Sequence, residues 1–207
     1  TPENGDGNRE LFLATCSGPG QPFTDVGRTH PFFGEIGWMA ARGVSLGYQP
    51  GPTYRPSAPV TRGAMSAFMF RLAGAEGFVP PATNTFRDVD AGHPFHVEVE
   101  WMAAAGISTG YPGGTYRPSD AVSRGAMSAF MFRLAGQLDR TLPDALTFTD
   151  VGRQHPFAPE IEWMALKGIS TGYEPGPTYR PAAPVTRAAM SAFMFRLAAA
   201  YPNLGED

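Results

Sequence analysis

Phe32, Ile36 and Met39 follow a His-Pro pair at i, i+4 and i+7, a spacing that predicts a short helix with one apolar stripe. His30 or Thr29 can cap it, and Pro31 fits its first turn, where a missing N–H costs nothing. Gly43 falls just past the helix end, with Val44 behind it as the usual apolar contact. A turn-rich loop from Gly47 to Pro52 follows, then a short extended piece, Thr53-Tyr54-Arg55-Pro56. Thr61 has the side chain of an N-cap for a second helix. That helix reads differently. Met65, Phe68, Met69 and Leu72 share a face while Phe70 lies opposite, and a helix apolar nearly all round must be enclosed on several sides.

The pattern then repeats. Phe23-Thr24-Asp25-Val26 returns as Phe86-Arg87-Asp88-Val89 and Phe148-Thr149-Asp150-Val151, and His30-Pro31-Phe32 as His93-Pro94-Phe95 and His155-Pro156-Phe157. Trp38, Trp101 and Trp163 lie 63 and 62 residues apart, each followed by Met-Ala. Residues 63–74 are identical to residues 125–136. A fixed period of this kind means one supersecondary unit copied three times. The modules span 23–74, 86–136 and 148–198, with an N-terminal segment 1–22 and a C-terminal tail 199–207. A unit of about fifty residues could hardly bury its second helix alone. The expected fold is therefore all-α: three helix-loop-helix modules form a pseudo-threefold trimer around a central three-helix bundle. The second helices, near 61–73, 123–135 and 186–198, supply that bundle. Linkers 75–85 and 137–147 cross between modules. Leu11-Phe12-Leu13 reads as a linker mimic, and the extreme ends, 1–8 and 202–207, are expected to fray.

Composition narrows the function. Gly 25 and Pro 21 are nearly double the usual share and fit many turns between short elements. Lys+Arg 16 against Asp+Glu 19 gives a net charge of −3, which argues against a nucleic-acid binder working by phosphate neutralisation. No apolar stretch reaches the roughly 20 residues of a membrane span. One cysteine, Cys16, allows neither an intramolecular disulfide nor a thiolate metal cluster. There is no initiator Met and no charged-then-apolar leader, so any signal peptide is expected to have been removed or to lie outside this fragment. No hydrolase, phosphate-loop or zinc-protease motif is present. Glu98/Glu100 and Glu160/Glu162 sit two apart on a helix and point to different faces. The chain reads as non-catalytic, with no cofactor and no metal.

The order Phe-x-Asp-Val, His, a helix ending in Gly-Ile, Gly-Tyr, Thr-Tyr-Arg-Pro and Val-Thr-Arg resembles the S-layer homology domain over residues 23–197. That resemblance implies an extracellular bacterial protein held at the cell wall by a secondary cell-wall polysaccharide, often a pyruvylated one, bound in grooves between modules. The family's Thr-Arg-Ala-Glu motif is similar to Thr61-Arg62, Ser123-Arg124 and Thr186-Arg187, whose arginines it implies as polysaccharide contacts. Its glutamate is replaced here by Ala64, Ala126 and Ala189, so only the hydroxyl half of a capping box survives. The family's loop aspartate is also missing; Tyr111-Pro112-Gly113-Gly114 is the nearest version. The His-Pro-Phe form is similar to actinobacterial relatives, whose wall polymers differ.

Arg62, Arg124 and Arg187 are the sharpest candidates. Each stands at a predicted helix start, where a cation opposes the macrodipole at a cost of about 0.3–1 kcal/mol. Helix-start N–H groups and a guanidinium fork suit a carboxylate or phosphate. The competing reading is an ion pair with Asp25, Asp88 or Asp150. Trp38, Trp101 and Trp163 could stack on sugar rings or pack between modules. Tyr48, Tyr111 and Tyr173 could line a groove or hold a loop. His30, His93 and His155 invite a metal but fit a helix cap, or a bond to the aspartate five residues earlier, better. The rival to glycan anchoring is a surface-layer or protein–protein interaction module with other surface proteins as partners.

Overall fold

The computed structural model describes residues 22–205; the Leu11-Phe12-Leu13 patch and Cys16 lie outside the described residues. The fold is all-α, with helices α1 (Phe33–Ala41), α2 (Arg62–Leu72), α3 (His96–Ala104), α4 (Arg124–Leu134), α5 (Ala158–Leu166) and α6 (Arg187–Ala200). Isolated β-bridges are the only extended pairings among the described residues.

The even-numbered helices start where their caps predict. Thr61, Ser123 and Thr186 each accept a hydrogen bond from the N–H three residues on, at 3.2 Å. The odd-numbered helices start later than the sequence suggests: α1 begins at Phe33, and Phe32 at its N-cap offers no side-chain bond. His30 Nδ1 instead accepts the Phe32 N–H at 3.1 Å, and His93 and His155 do the same for Phe95 and Phe157. The histidine caps a turn ahead of the helix, not the helix itself.

Each second helix packs mainly against the first helix of the next module. The pairs are α2 with α3, α4 with α5, and α6 with α1, so the three interfaces close into a ring. Backbone bonds close a second, smaller ring. Val60 N–H donates to the Val185 carbonyl (2.8 Å), Val185 N–H to Val122 (2.9 Å) and Val122 N–H to Val60 (2.9 Å). The interior is one continuous apolar core fed by all three modules, and it contains all nine methionines, each fully buried. Phe70 and Phe132 are buried too, which explains why the second helices are apolar nearly all round.

Two linkers are held by buried carboxylates. Glu100 accepts the Thr85 N–H (2.9 Å) and hydroxyl (2.6 Å), and Glu162 holds Thr147 in the same way. The tail departs from the expected fraying. Residues 199 and 200 extend α6, and Tyr201 and Leu204 pack on the core. Gly205 sits so close to the end of α2 that a Cβ there would lie 2.7 Å from the Leu72 carbonyl oxygen. The apolar side chains at 201 and 204 find buried surface that the sequence pattern of a short tail does not reveal.

A fragment of residues 1–74 keeps α1 and α2 but loses the neighbours of both. It is expected to show weak helical circular dichroism and no cooperative thermal transition. A sharp melt with native-like helix content would contradict a core shared among modules.

Candidate functional site

The start of α4 sets the pattern for all three interfaces. Arg124 N–H donates to the Ala183 carbonyl and Gly125 N–H to Pro181, both at 2.9 Å, while Ser123 Oγ takes the Ala126 N–H. The first three N–H groups are thus occupied by the cap and by the next module's loop. α2 docks on Asp120 and Pro118, and α6 on Ala58 and Pro56, in the same manner. The helix-start donors that the sequence suggested for an anion are spent on docking. Only the guanidinium remains for a ligand.

Arg124 reaches across the interface. Its Nε donates to the Tyr179 carbonyl at 2.6 Å and its Nη2 to Ser170 Oγ at 3.4 Å. Tyr179 answers with its hydroxyl, which donates to the Arg124 carbonyl at 3.1 Å. The guanidinium carbon lies 4.8, 4.5 and 5.2 Å from the ring centres of Tyr173, Tyr179 and Phe193. Arg62 makes the same clasp with Tyr116 among Tyr111 and Phe130, and Arg187 with Tyr54 among Tyr48 and Phe68. All three arginines are buried, at 3–5 % exposure.

Among the described residues none of them forms an ion pair with a carboxylate, although the Arg187 charge is felt at Asp25. The only ion pair among the described residues is Arg140–Glu160 at 3.2 Å. Asp25, Asp88 and Asp150, the alternative partners read from sequence, are engaged elsewhere. Asp25 accepts the N–H groups of Tyr54 and Arg55, both at 2.7 Å, and Asp88 and Asp150 repeat this with Tyr116–Arg117 and Tyr179–Arg180. Desolvation works to raise the Asp25 and Asp88 carboxyls, but these backbone donors outweigh it and hold both below the usual carboxylate range. The Nη1 of each buried arginine has no hydrogen-bond partner among the described residues. His96 Nδ1 is the one fully buried side-chain nitrogen or oxygen left unpartnered there, so each Nη1 keeps some open surface, and Arg124 lines a groove.

That groove is formed by three modules. Arg124 faces Ser170, Thr171 and Tyr173 of the third module, Ala192 and Arg196 on α6, and Phe32 of the first, around a cavity of about 140 Å³. This is below the range of pockets that swallow a drug-sized ligand, and suits one charged substituent of a larger molecule. Gly172 permits the loop: at φ +76° a side chain would be strained, and a Cβ would lie 2.7 Å from the Thr178 carbonyl.

Tyr48 and Tyr111 are partly exposed, and Tyr173, which lines the groove, is exposed. Each carries a second arginine that the sequence reading missed. Arg55, Arg117 and Arg180 lie 4.2 Å from the ring centres of Tyr48, Tyr111 and Tyr173. The available signal was the threefold Thr-Tyr-Arg-Pro. The tryptophans, in contrast, join modules. Trp38 meets Phe195 edge-on at 5.5 Å, Trp101 meets Phe70 at 5.6 Å and Trp163 meets Phe132 at 5.4 Å. Trp38 and Trp163 are buried and Trp101 is half-buried, a placement that favours packing over sugar stacking. Among the described residues no group of three His, Cys, Asp or Glu side chains could hold a metal ion.

Burial pushes the phenols of Tyr54, Tyr116 and Tyr179 up to about 12, against the opposing pull of Arg187, Arg62 and Arg124. Since these values lie above the ordinary 10.0, the neutral phenols stabilise the fold fully below pH 10 and lose that contribution as pH rises through about 12. Ultraviolet titration should therefore show three tyrosines ionising late, together with loss of helical signal. Removal of the clasp from the other side has its own cost. Arg124→Ala strands the Tyr179 carbonyl and is expected to cost about 1–3 kcal/mol, read as a Tm lowered by about 2–4 °C per kcal/mol in a chain of this size.

Comparison with known proteins gives a consistent picture. The family model for the S-layer homology domain matches residues 22–66, 85–128 and 147–191. A cellulosome-anchoring protein of Acetivibrio thermocellus is 27 % identical over 155 residues, covering 71 % of this chain and 34 % of the relative. Cell surface glycoprotein 1 of the same organism is 28 % identical over 120 residues, 54 % of this chain and 5 % of its own length. A cell surface protein of Thermoanaerobacter kivui is 26 % identical over 125 residues, 59 % of this chain and 16 % of its own. The chain thus spans about a third or less of each of these relatives.

Proposed function

The chain belongs to the S-layer homology family, and on that premise we propose that it is a non-catalytic anchoring region that holds an acidic secondary cell-wall polysaccharide in its intermodular grooves. It is an extracellular, cell-surface region. One observation carries the glycan reading above all: three buried arginines form no ion pair among the described residues, and one of them, Arg124, lines a cavity between modules. Burying a cation costs several kcal/mol unless it is compensated. Three aromatic rings and a backbone carbonyl offset part of this cost, and an acidic group on the ligand supplies the remainder. The helix starts contribute position and no donors. The small cavity takes a substituent, such as the carboxylate of a pyruvyl ketal or a uronic acid, while the polymer runs outside.

The rival reading is a surface-layer or protein-docking module in which the same ring binds other surface proteins. Exposed Leu46, Leu138 and Leu166 favour a protein contact, but they lie on separate segments: the first module's loop, a linker and the end of α5. Purified wall sacculi decide between the two. The chain should bind intact sacculi, lose that binding when the non-peptidoglycan polymer is extracted, and bind more weakly as salt rises. Unchanged binding after extraction, or self-assembly with no glycan present, would favour the protein module.

A further inference from the structure

We infer that Arg55, Arg117 and Arg180 are ligand-binding residues. They set a second cation at each groove mouth, so that the glycan recognised there carries acidic groups on two neighbouring sugar units. This rests on the anionic-glycan reading of the grooves and adds a requirement that the buried arginines alone do not impose.

Three observations point the same way. First, each groove tyrosine lies within 5 Å of two guanidinium carbons, one buried and one exposed: Arg187 and Arg55 at Tyr48, Arg62 and Arg117 at Tyr111, Arg124 and Arg180 at Tyr173. Like charges gathered around one ring repel, and among the described residues no carboxylate forms an ion pair with either member. Second, the exposed arginines stand in the left-handed region, at φ 57°, 59° and 58°. Glycine or asparagine takes that conformation at least cost, so a turn selected for shape alone would carry one of them. A long cationic side chain at this strained position in all three copies is explained by what the side chain does. Third, the strain is held in place. An aspartate oxygen grips the N–H of each of these arginines at 2.7–2.8 Å, fixing the direction in which the side chain leaves the loop.

The two cations differ in depth. The buried one, at Arg124, borders a cavity with room for a single charged group, which Arg196 also lines; the exposed one, Arg180, meets that lining only through the ring of Tyr173. A ligand with one acid fills the first and leaves the second facing water. A ligand with acids on successive units engages both. Stacking of Arg55 on Tyr48 merely to brace the loop is the alternative, and it predicts no preference between the two ligands.

The test uses galacturonate and digalacturonate as probes, followed by isothermal titration and by NMR of the arginine Nε–H signals in the full chain. Wild type should bind the dimer at least tenfold more tightly than the monomer. In the triple variant Arg55→Asn, Arg117→Asn, Arg180→Asn that advantage should vanish, the dimer losing far more affinity than the monomer. Asparagine accepts the left-handed backbone, so the fold is expected to melt no lower than wild type. Arg→Lys at the same positions keeps the charge and should retain part of the advantage. Equal affinity for the two probes in wild type, or an advantage that survives in the Asn variant, would overturn this inference alone. A wild type that binds neither probe would overturn the acidic-glycan reading of the grooves and this inference with it.

Discussion

The reciprocal clasp between an arginine at a helix start and a tyrosine in the neighbouring module holds this fold together. Arg62, Arg124 and Arg187 each give an N–H to a tyrosine carbonyl and take a tyrosine hydroxyl on their own carbonyl. Both halves are buried, so each protects the other from the cost of an unpaired polar group. The clasp also fixes where the rest of the helix goes. Once its first turn is docked on the next module's loop, the Met and Phe face is committed to the common core, and Phe70 or its counterpart to the neighbour's tryptophan. The side chain that joins two modules also lines the cavity between them, as Arg124 does, so that cavity sits at a seam.

Much of this was legible. The hydroxyl caps at 61, 123 and 186 locate three helices within a residue of their observed starts, and Gly43 at φ +68° ends α1 as its position suggested. The direction of exchange was not legible. In a chain of near-identical repeats, an arginine that folds back on its own tyrosine and one that reaches into the next copy give the same sequence. Only the geometry of the interface tells them apart. The exposed arginines were missed for a related reason: left-handed backbone at a residue other than glycine leaves no mark in periodicity or composition. Tryptophan spacing marked a repeated role but not which one, because an indole on a short helix suits packing and stacking equally.

The departures between modules follow from local partners. Glu100 and Glu162 each grip the threonine that ends a linker, and the first module lacks both halves of that contact: Gly37 stands in place of the glutamate and Pro22, with neither N–H nor hydroxyl, in place of the threonine. Gly63 and Gly125 leave no room for a Cβ beside Phe95 and Phe157, whereas Ala188 fits against the first module's apolar cluster. The glutamate and the threonine are lost together, whereas Ala188 is accommodated beside a phenylalanine, Phe32, that all three copies keep.

Closure of the ring fixes a number as well as a shape. Every module offers one docking helix and one receiving loop, and after three copies both are used. A fourth copy would meet no vacant edge, and a pair would leave one arginine and one loop without mates. The ring is therefore complete at three: one copy added or removed leaves docking surfaces unmatched. A substitution in one module is likewise felt at two seams, one through its helix and one through its loop, so neighbouring interfaces are not independent of each other.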